Sequence, residues 1–252
     1  MSDLMITDMW VLGKQGLLIL LLAGCAPSSA VTITEPVTTT STTTTLPSTT
    51  TTATTTTTLA TTTTASGFTA EILSVSAQDL GSSWRPGCPV GPEQLVQLDV
   101  SHYDLDGVAR QGVVIVHVDW ADAVVGVFNV LFVAGFPIER MEPISVFDAD
   151  DDTSMAANNT SAFNCRPVAG TNRWSEHSYG RAIDINPLLN PYVRGSQVDP
   201  PGGREYIDRD PSVPGLIVDN DVVVDAFAAI GWGWGGHWSS AKDYQHFSST
   251  GR

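Results

Sequence analysis

Positive charge is the scarcest commodity in this chain. Lysine occurs only at Lys14 and Lys242, and 12 basic residues face 27 acidic ones, giving a formal net charge of -15 and a pI near 4.4. A nucleic-acid partner needs a basic face, so the composition excludes one. The acid excess describes a well-solvated surface rather than a specific binding device. With lysine nearly absent, arginine carries the cationic work, which suits individual arginines for carboxylate recognition. Cysteine is almost as rare: Cys25, Cys88 and Cys165 are the full complement. No second cysteine stands near Cys165, which argues against a cysteine-based metal site or nucleophile there. Long apolar runs are missing too. The run from Gly16 to Leu22 is too short for a permanent membrane span. No internal repeat is present.

That short run has a different use. Lys14 precedes it and Leu22-Ala23-Gly24-Cys25 closes it, the layout of an export signal ending in a lipobox-like sequence, with Cys25 as the lipidated residue. Asp3 and Asp8 are out of place in a leader that should be positive, so Met9 is an alternative start. Residues 26–66 are mostly threonine, with too little apolar surface to offset the entropy of ordering them. Extended at ~3.1 Å per residue, such a stalk reaches on the order of 100 Å. The sequence thus divides into a signal at residues 1–25, a threonine-rich linker at 26–66 and a folded domain at 67–252. The expected location is the outer face of a bacterial membrane, with a lipid anchor and a single protomer. In that oxidising compartment Cys88 and Cys165 are left to pair with each other.

Within the folded region, residues 95–100 and 112–118 have strand character, and Asp106-Gly107 marks a turn between them, which predicts a hairpin. Residues 121–134 carry apolar side chains at helical spacing and meet a stop at Gly135. A short helix is expected over residues 221–230, closed by Gly231. Asp148, Asp150, Asp151 and Asp152 lack the ligand spacing of a calcium loop and read as a solvated loop. His102 and His117 fall in strand-like segments as ordinary sheet residues. Trp232, Trp234 and Trp238 fit a substrate groove or an aromatic core.

The chemistry concentrates between Trp174 and Pro187. His177 and Asp184 are separated by six residues, and Gly180 between them argues against one continuous helix. Ala182 to Asn186 alternates like a strand, with Ile183 and Ile185 facing a core and Asp184 facing the other way. Near the C-terminus, Asp243-Tyr244-Gln245-His246 offers a second imidazole and a spare carboxylate. Two imidazoles and one carboxylate suit a hydrolytic zinc site with a position left for water.

The pattern Ser175-x-His177-x-x-Gly180-x-Ala182-x-Asp184-Ile185, followed by Asp243-x-x-His246, resembles peptidase family M15. Those proteins are zinc D-alanyl-D-alanine carboxypeptidases and dipeptidases and related L-alanyl-D-glutamate endopeptidases. The resemblance implies an α+β fold of the hedgehog/DD-peptidase type, with a central, mainly antiparallel sheet and flanking helices. It implies His177, Asp184 and His246 as zinc ligands and Asp243 as general base. Arg166 takes the place of the arginine that faces substrate or a developing oxyanion, and Ser175 that of a serine that holds substrate. The expected partners are peptidoglycan stem peptides. His237 stands where an acidic residue is usual, and reads as a partner of a ligand, a substrate contact or an alternative ligand. A rival of another class is a non-catalytic wall-binding module with a structural zinc; a free base beside an open position speaks against it.

Overall fold

The computed structural model describes residues 67–252; the readings placed on residues 1–66, Cys25 among them, lie outside the described residues. The chain enters through β1 (Ala70–Ser74) and α1 (Ala77–Leu80), whose first turn is closed by a capping box between Ser76 and Asp79. The expected hairpin follows as β2 (Leu95–Tyr103) and β3 (Ala109–His117), paired from Leu95↔His117 to Tyr103↔Ala109. Its turn is held by Asp104, whose Oδ1 accepts from the backbone N–H of Asp106 and Val108 at 3.0 and 2.8 Å. β1 adds to the other edge of β2, giving the order β1-β2-β3.

Helix α2 (Ala121–Ala134) matches the apolar spacing. It buries Val124, Val127, Phe128, Leu131 and Phe132 and ends where Gly135, at φ 70°, returns its N–H to Leu131 and Phe132. After β4 (Arg140–Met141), α3 (Asp151–Ala156) and β5 (Asn159–Thr160), the chain reaches β6 (Ala182–Asp184), β7 (Tyr192–Arg194) and β8 (Gln197–Asp199). Helix α4 (Val222–Ala229) follows, its N-terminus capped by Asp221 Oδ1 on the Val223 N–H. β9 (Gly233–Trp234), β10 (Lys242–Asp243) and β11 (His246–Ser248) complete the fold.

The mixed helix and sheet architecture is the α+β one expected, with a difference in how the strands are grouped. Instead of one central sheet, the described residues form three antiparallel sheets of three strands, ordered β1-β2-β3, β10-β7-β8 and β6-β11-β9, and a parallel β4-β5 pair. The later strands are two or three residues long and separated by turns, so they join neighbours through single bonds: Phe163 N–H to Ile115 O and His117 N–H to Gly180 O tie β3 to the segment leading into β6.

The main core lies where α2 and α4 meet β2, β6, β9 and β11, with Phe128, Ile183, Ile185, Phe227 and Phe247 all at 1% exposure or less. Each such side chain contributes about 1.5–3 kcal/mol by leaving water. Phe227 stacks on Phe247 and Trp232. A smaller core of Leu80, Val90, Leu95, Ile115 and Phe163 surrounds the Cys88–Cys165 disulfide, which spans 77 residues.

The acidic run departs from the expected solvated loop. Asp148 and Ala149 adopt left-handed φ values of 55° and 61°, Asp150 caps α3 through the Thr153 N–H at 2.7 Å, and Asp151 opens the helix with its side chain turned inward. Only Asp148, Asp150 and Asp152 are exposed.

Candidate active site

His177 is carried by a 3-10 turn, Glu176–Tyr179, just before β6. Ser175 caps that turn, its Oγ accepting from the His177 N–H at 3.3 Å. The turn must then reverse tightly against β3. Gly180 does this at φ 64°, where an added Cβ would stand 2.5 Å from the His117 backbone N. The chain enters β6 with Ile183 fully buried and Asp184 on the opposite side, the alternation a strand dictates. β11 runs antiparallel beside it, and the register sets His246 directly opposite Asp184.

The three side chains converge. Asp184 Oδ2 lies 3.2 Å from His177 Nε2, Asp184 Oδ1 lies 2.9 Å from His246 Nδ1, and the two imidazole nitrogens are 3.3 Å apart. One ligand atom from each falls within 4.8 Å of the others. The far nitrogens are fixed by main-chain oxygens: His177 Nδ1 donates to Ala162 O at 2.5 Å, and His246 Nε2 donates to Arg252 O at 3.0 Å. A carbonyl only accepts, so each ring keeps its proton at the rear and can turn a lone pair towards Asp184. Two imidazole lone pairs and a carboxylate packed this closely call for a positive charge between them. Burial opposes ionisation of Asp184, yet the imidazoles outweigh it and hold its pKa well below the carboxylate range. Burial likewise opposes a charged His246, but the Asp184 carboxylate pushes its pKa up to about 9. The donor set fits a divalent cation, and its N,N,O composition suits zinc.

Asp243 closes one side. β10 pairs it with Tyr192, and Gly235 lets the chains approach so closely that a Cβ there would stand 2.6 Å from Asp243 O. Its Oδ1 is shielded from solvent and has no hydrogen-bond partner among the described residues. Burial pushes its pKa up to about 6, although the neighbouring His246 works in the other direction. A carboxylate with that pKa and a free oxygen is equipped to take and return a proton near neutrality.

Arg166 is anchored beside the cluster, its backbone N–H donating to Ser178 Oγ at 2.9 Å and its Nε paired with Asp151. Asp151 was invisible as a site residue in the sequence; the helix-capping pattern Asp150-x-x-Thr153 was the only signal that the acidic run is ordered. His237 does not join the group. Its Nε2 lies 2.9 Å from Asp219 Oδ1 and the side chain is 57% exposed, so it is neither a ligand partner nor an alternative ligand in this arrangement. The tryptophans divide: Trp232 and Trp234 belong to the core, whereas half-buried Trp238 stands with its ring 5.6 Å from that of His246 and donates Nε1–H to Gly251 O. His102 and His117 are buried in β2 and β3, as ordinary sheet residues would be.

Residues 169–249 match the family model described as D-alanyl-D-alanine carboxypeptidase. The match encloses Ser175, His177, Asp184, Asp243 and His246 and leaves Asp151, Arg166 and both disulfide cysteines outside. No curated protein and no solved structure matches the chain. The matched segment carries the paired motifs, and its fold draws the two motifs into one cluster, so residues 169–249 support the resemblance to peptidase family M15.

Proposed function

We propose that this domain is a zinc peptidase that hydrolyses peptide bonds in peptidoglycan stem peptides, as a D-Ala-D-Ala carboxypeptidase or an L-Ala-D-Glu endopeptidase on a hedgehog/DD-peptidase-type scaffold. The observation that carries the reading is the convergence of His177 Nε2, Asp184 and His246 Nδ1, each imidazole locked from behind by a main-chain oxygen. These three residues would hold the cation. When bound, zinc supplies Lewis-acid polarisation of a carbonyl and activation of water.

The protein's own groups do the rest. Asp243 accepts the proton of the attacking water through its unpartnered Oδ1 and returns it to the leaving amine. Arg166 offers guanidinium N–H groups to negative charge on the substrate or on the tetrahedral oxygen. Ser175 acts first through the His177 turn, which it caps. Trp238 forms a wall beside His246, against which a peptide can lie. The proposal puts the enzyme outside the cytoplasm, tethered through Cys25 and the threonine-rich linker. The Cys88–Cys165 disulfide supports that location, because disulfides persist in oxidising compartments.

Incubation with defined muropeptides, with the cut bond identified by mass spectrometry, tests the function. Asp243→Asn should retain its zinc and lose about 10²- to 10⁴-fold in rate, the span of general-base catalysis. Undiminished cleavage by that variant would remove Asp243 from the mechanism. Zinc binding with no cleavage of any stem peptide by the parent would favour the wall-binding module.

A further inference from the structure

We propose that Asp151 is the positioning residue for Arg166, holding the guanidinium by its inner edge so that its outer nitrogens face the site. This rests on the hydrolase reading above.

Four observations carry the inference. First, Asp151 is set apart from its neighbours: the other carboxylates of the run are exposed, while the Asp151 side chain is 24% exposed and turned inward. Second, both of its oxygens are committed. Oδ1 accepts from Asn164 Nδ2 at 2.8 Å, and Oδ2 pairs with Arg166 Nε. Third, the supports of this pair are themselves fixed to the ligand turn. Asn164 is 4% exposed, and its N–H donates to His177 O; Ser178 Oγ takes the Arg166 N–H and lies within hydrogen-bond distance of the Asn164 and Arg166 carbonyls. Fourth, the Arg166 carbonyl accepts from the Ser175 N–H at 3.1 Å, so the arginine lies against the turn that carries His177.

The geometry distinguishes an inner edge from an outer one. With the Nε edge in charge contact with Asp151 but not hydrogen-bonded, Nη1 and Nη2 make no hydrogen bond among the described residues, on a side chain 34% exposed. A guanidinium fixed at Nε presents its remaining N–H groups in a set direction, which is what recognition of an anionic oxygen requires. An unheld arginine would sweep through several rotamers and lose most of that advantage.

The test is a double-mutant cycle on the zinc-loaded protein using Asp151→Asn, Arg166→Ala and the pair, with Asp151→Glu as the conservative variant. Asparagine keeps an acceptor oxygen for Asn164 and replaces the oxygen facing Arg166 with an uncharged amide NH2, which cannot accept from the guanidinium. The expected result for D151N is a loss of roughly 10- to 100-fold in kcat/KM on muropeptides, the scale of a lost orienting partner, with zinc content unchanged and partial recovery in D151E. In the R166A background the same change should alter kcat/KM less than about twofold, because the group being positioned has gone. The Arg166 Nε–H resonance, distinct in the parent, should merge with those of the mobile arginines in D151N. Equal losses in both backgrounds, or full activity in D151N, would overturn the assignment while leaving the hydrolase reading intact. A zinc-loaded parent that cuts no stem peptide would take down both.

Discussion

Gly180 shows how much of the site rests on one absent carbon. It lies between His177 and Asp184, at a φ of 64°, with the His117 backbone N 2.5 Å from where a Cβ would sit. Backbone, unlike a flexible side-chain tip, cannot move aside. Gly180→Ala should therefore cost at least about 1–3 kcal/mol, the penalty for a left-handed non-glycine residue, with the clash added. Denaturant unfolding measures the stability, and zinc content should fall because His177 and Asp184 flank the displaced turn. Unchanged stability and zinc content would show that the turn relaxes freely. At the same scale, Asp243 as the proposed general base should set the acid limb of activity. It must be ionised to accept a proton, and burial pushes its pKa up to about 6. The log of kcat/KM should thus fall with slope one as pH drops through that region, and a bound cation can only draw the midpoint lower. In Asp243→Asn this limb should vanish from the residual activity.

Elements differ in how openly the sequence announces them. The β2–β3 hairpin and α2 are legible because each signal is sustained: valine-, leucine- and isoleucine-rich runs at residues 95–100 and 112–118 with Asp106-Gly107 between, and apolar spacing over 14 residues up to Gly135. β6 is legible despite its three residues, since Ile183 and Ile185 bracket Asp184. The remaining short strands have too few residues for any period, so their division among three sheets depends on contacts distant in sequence. Asp151 was illegible for the same reason. Its direction is decided by Asn164 and Arg166, 13 and 15 residues further on, and four nearby aspartates look alike until those partners are known. The disulfide joins an element-scale unit that has only a small core. Closing 77 residues should stabilise the fold by about 4 kcal/mol in the chain-entropy account. The Cys88→Ser/Cys165→Ser double variant should unfold at correspondingly lower denaturant concentration. A shift of less than about 1 kcal/mol would mean that the Leu80–Phe163 packing already constrains the loop.

For the molecule as a whole, the proposed ligand cluster should couple charge, metal and stability. His177, Asp184 and His246 come from a turn and two paired strands, so whatever binds them ties those segments together. In the metal-free protein a proton does this: the Asp184 carboxylate, working against burial, pushes His246 up to about 9 from its ordinary value of 6.5. A folded-state pKa raised above the unfolded one contributes stability that is fully present below 6.5 and disappears as pH rises through 9. Metal-free protein should therefore weaken as pH climbs from 7 to 10, and zinc-loaded protein should not, since the cation replaces the proton. The exchange has a direct readout. At pH 7 zinc should displace about one proton per chain, seen as a dependence of calorimetric enthalpy on the ionisation enthalpy of the buffer. His246→Ala should abolish both that proton release and the alkaline loss of stability. Zinc binding to the parent without proton release would mean that His246 is already neutral, with its lone pair waiting, and that something other than a proton keeps the three ligands together.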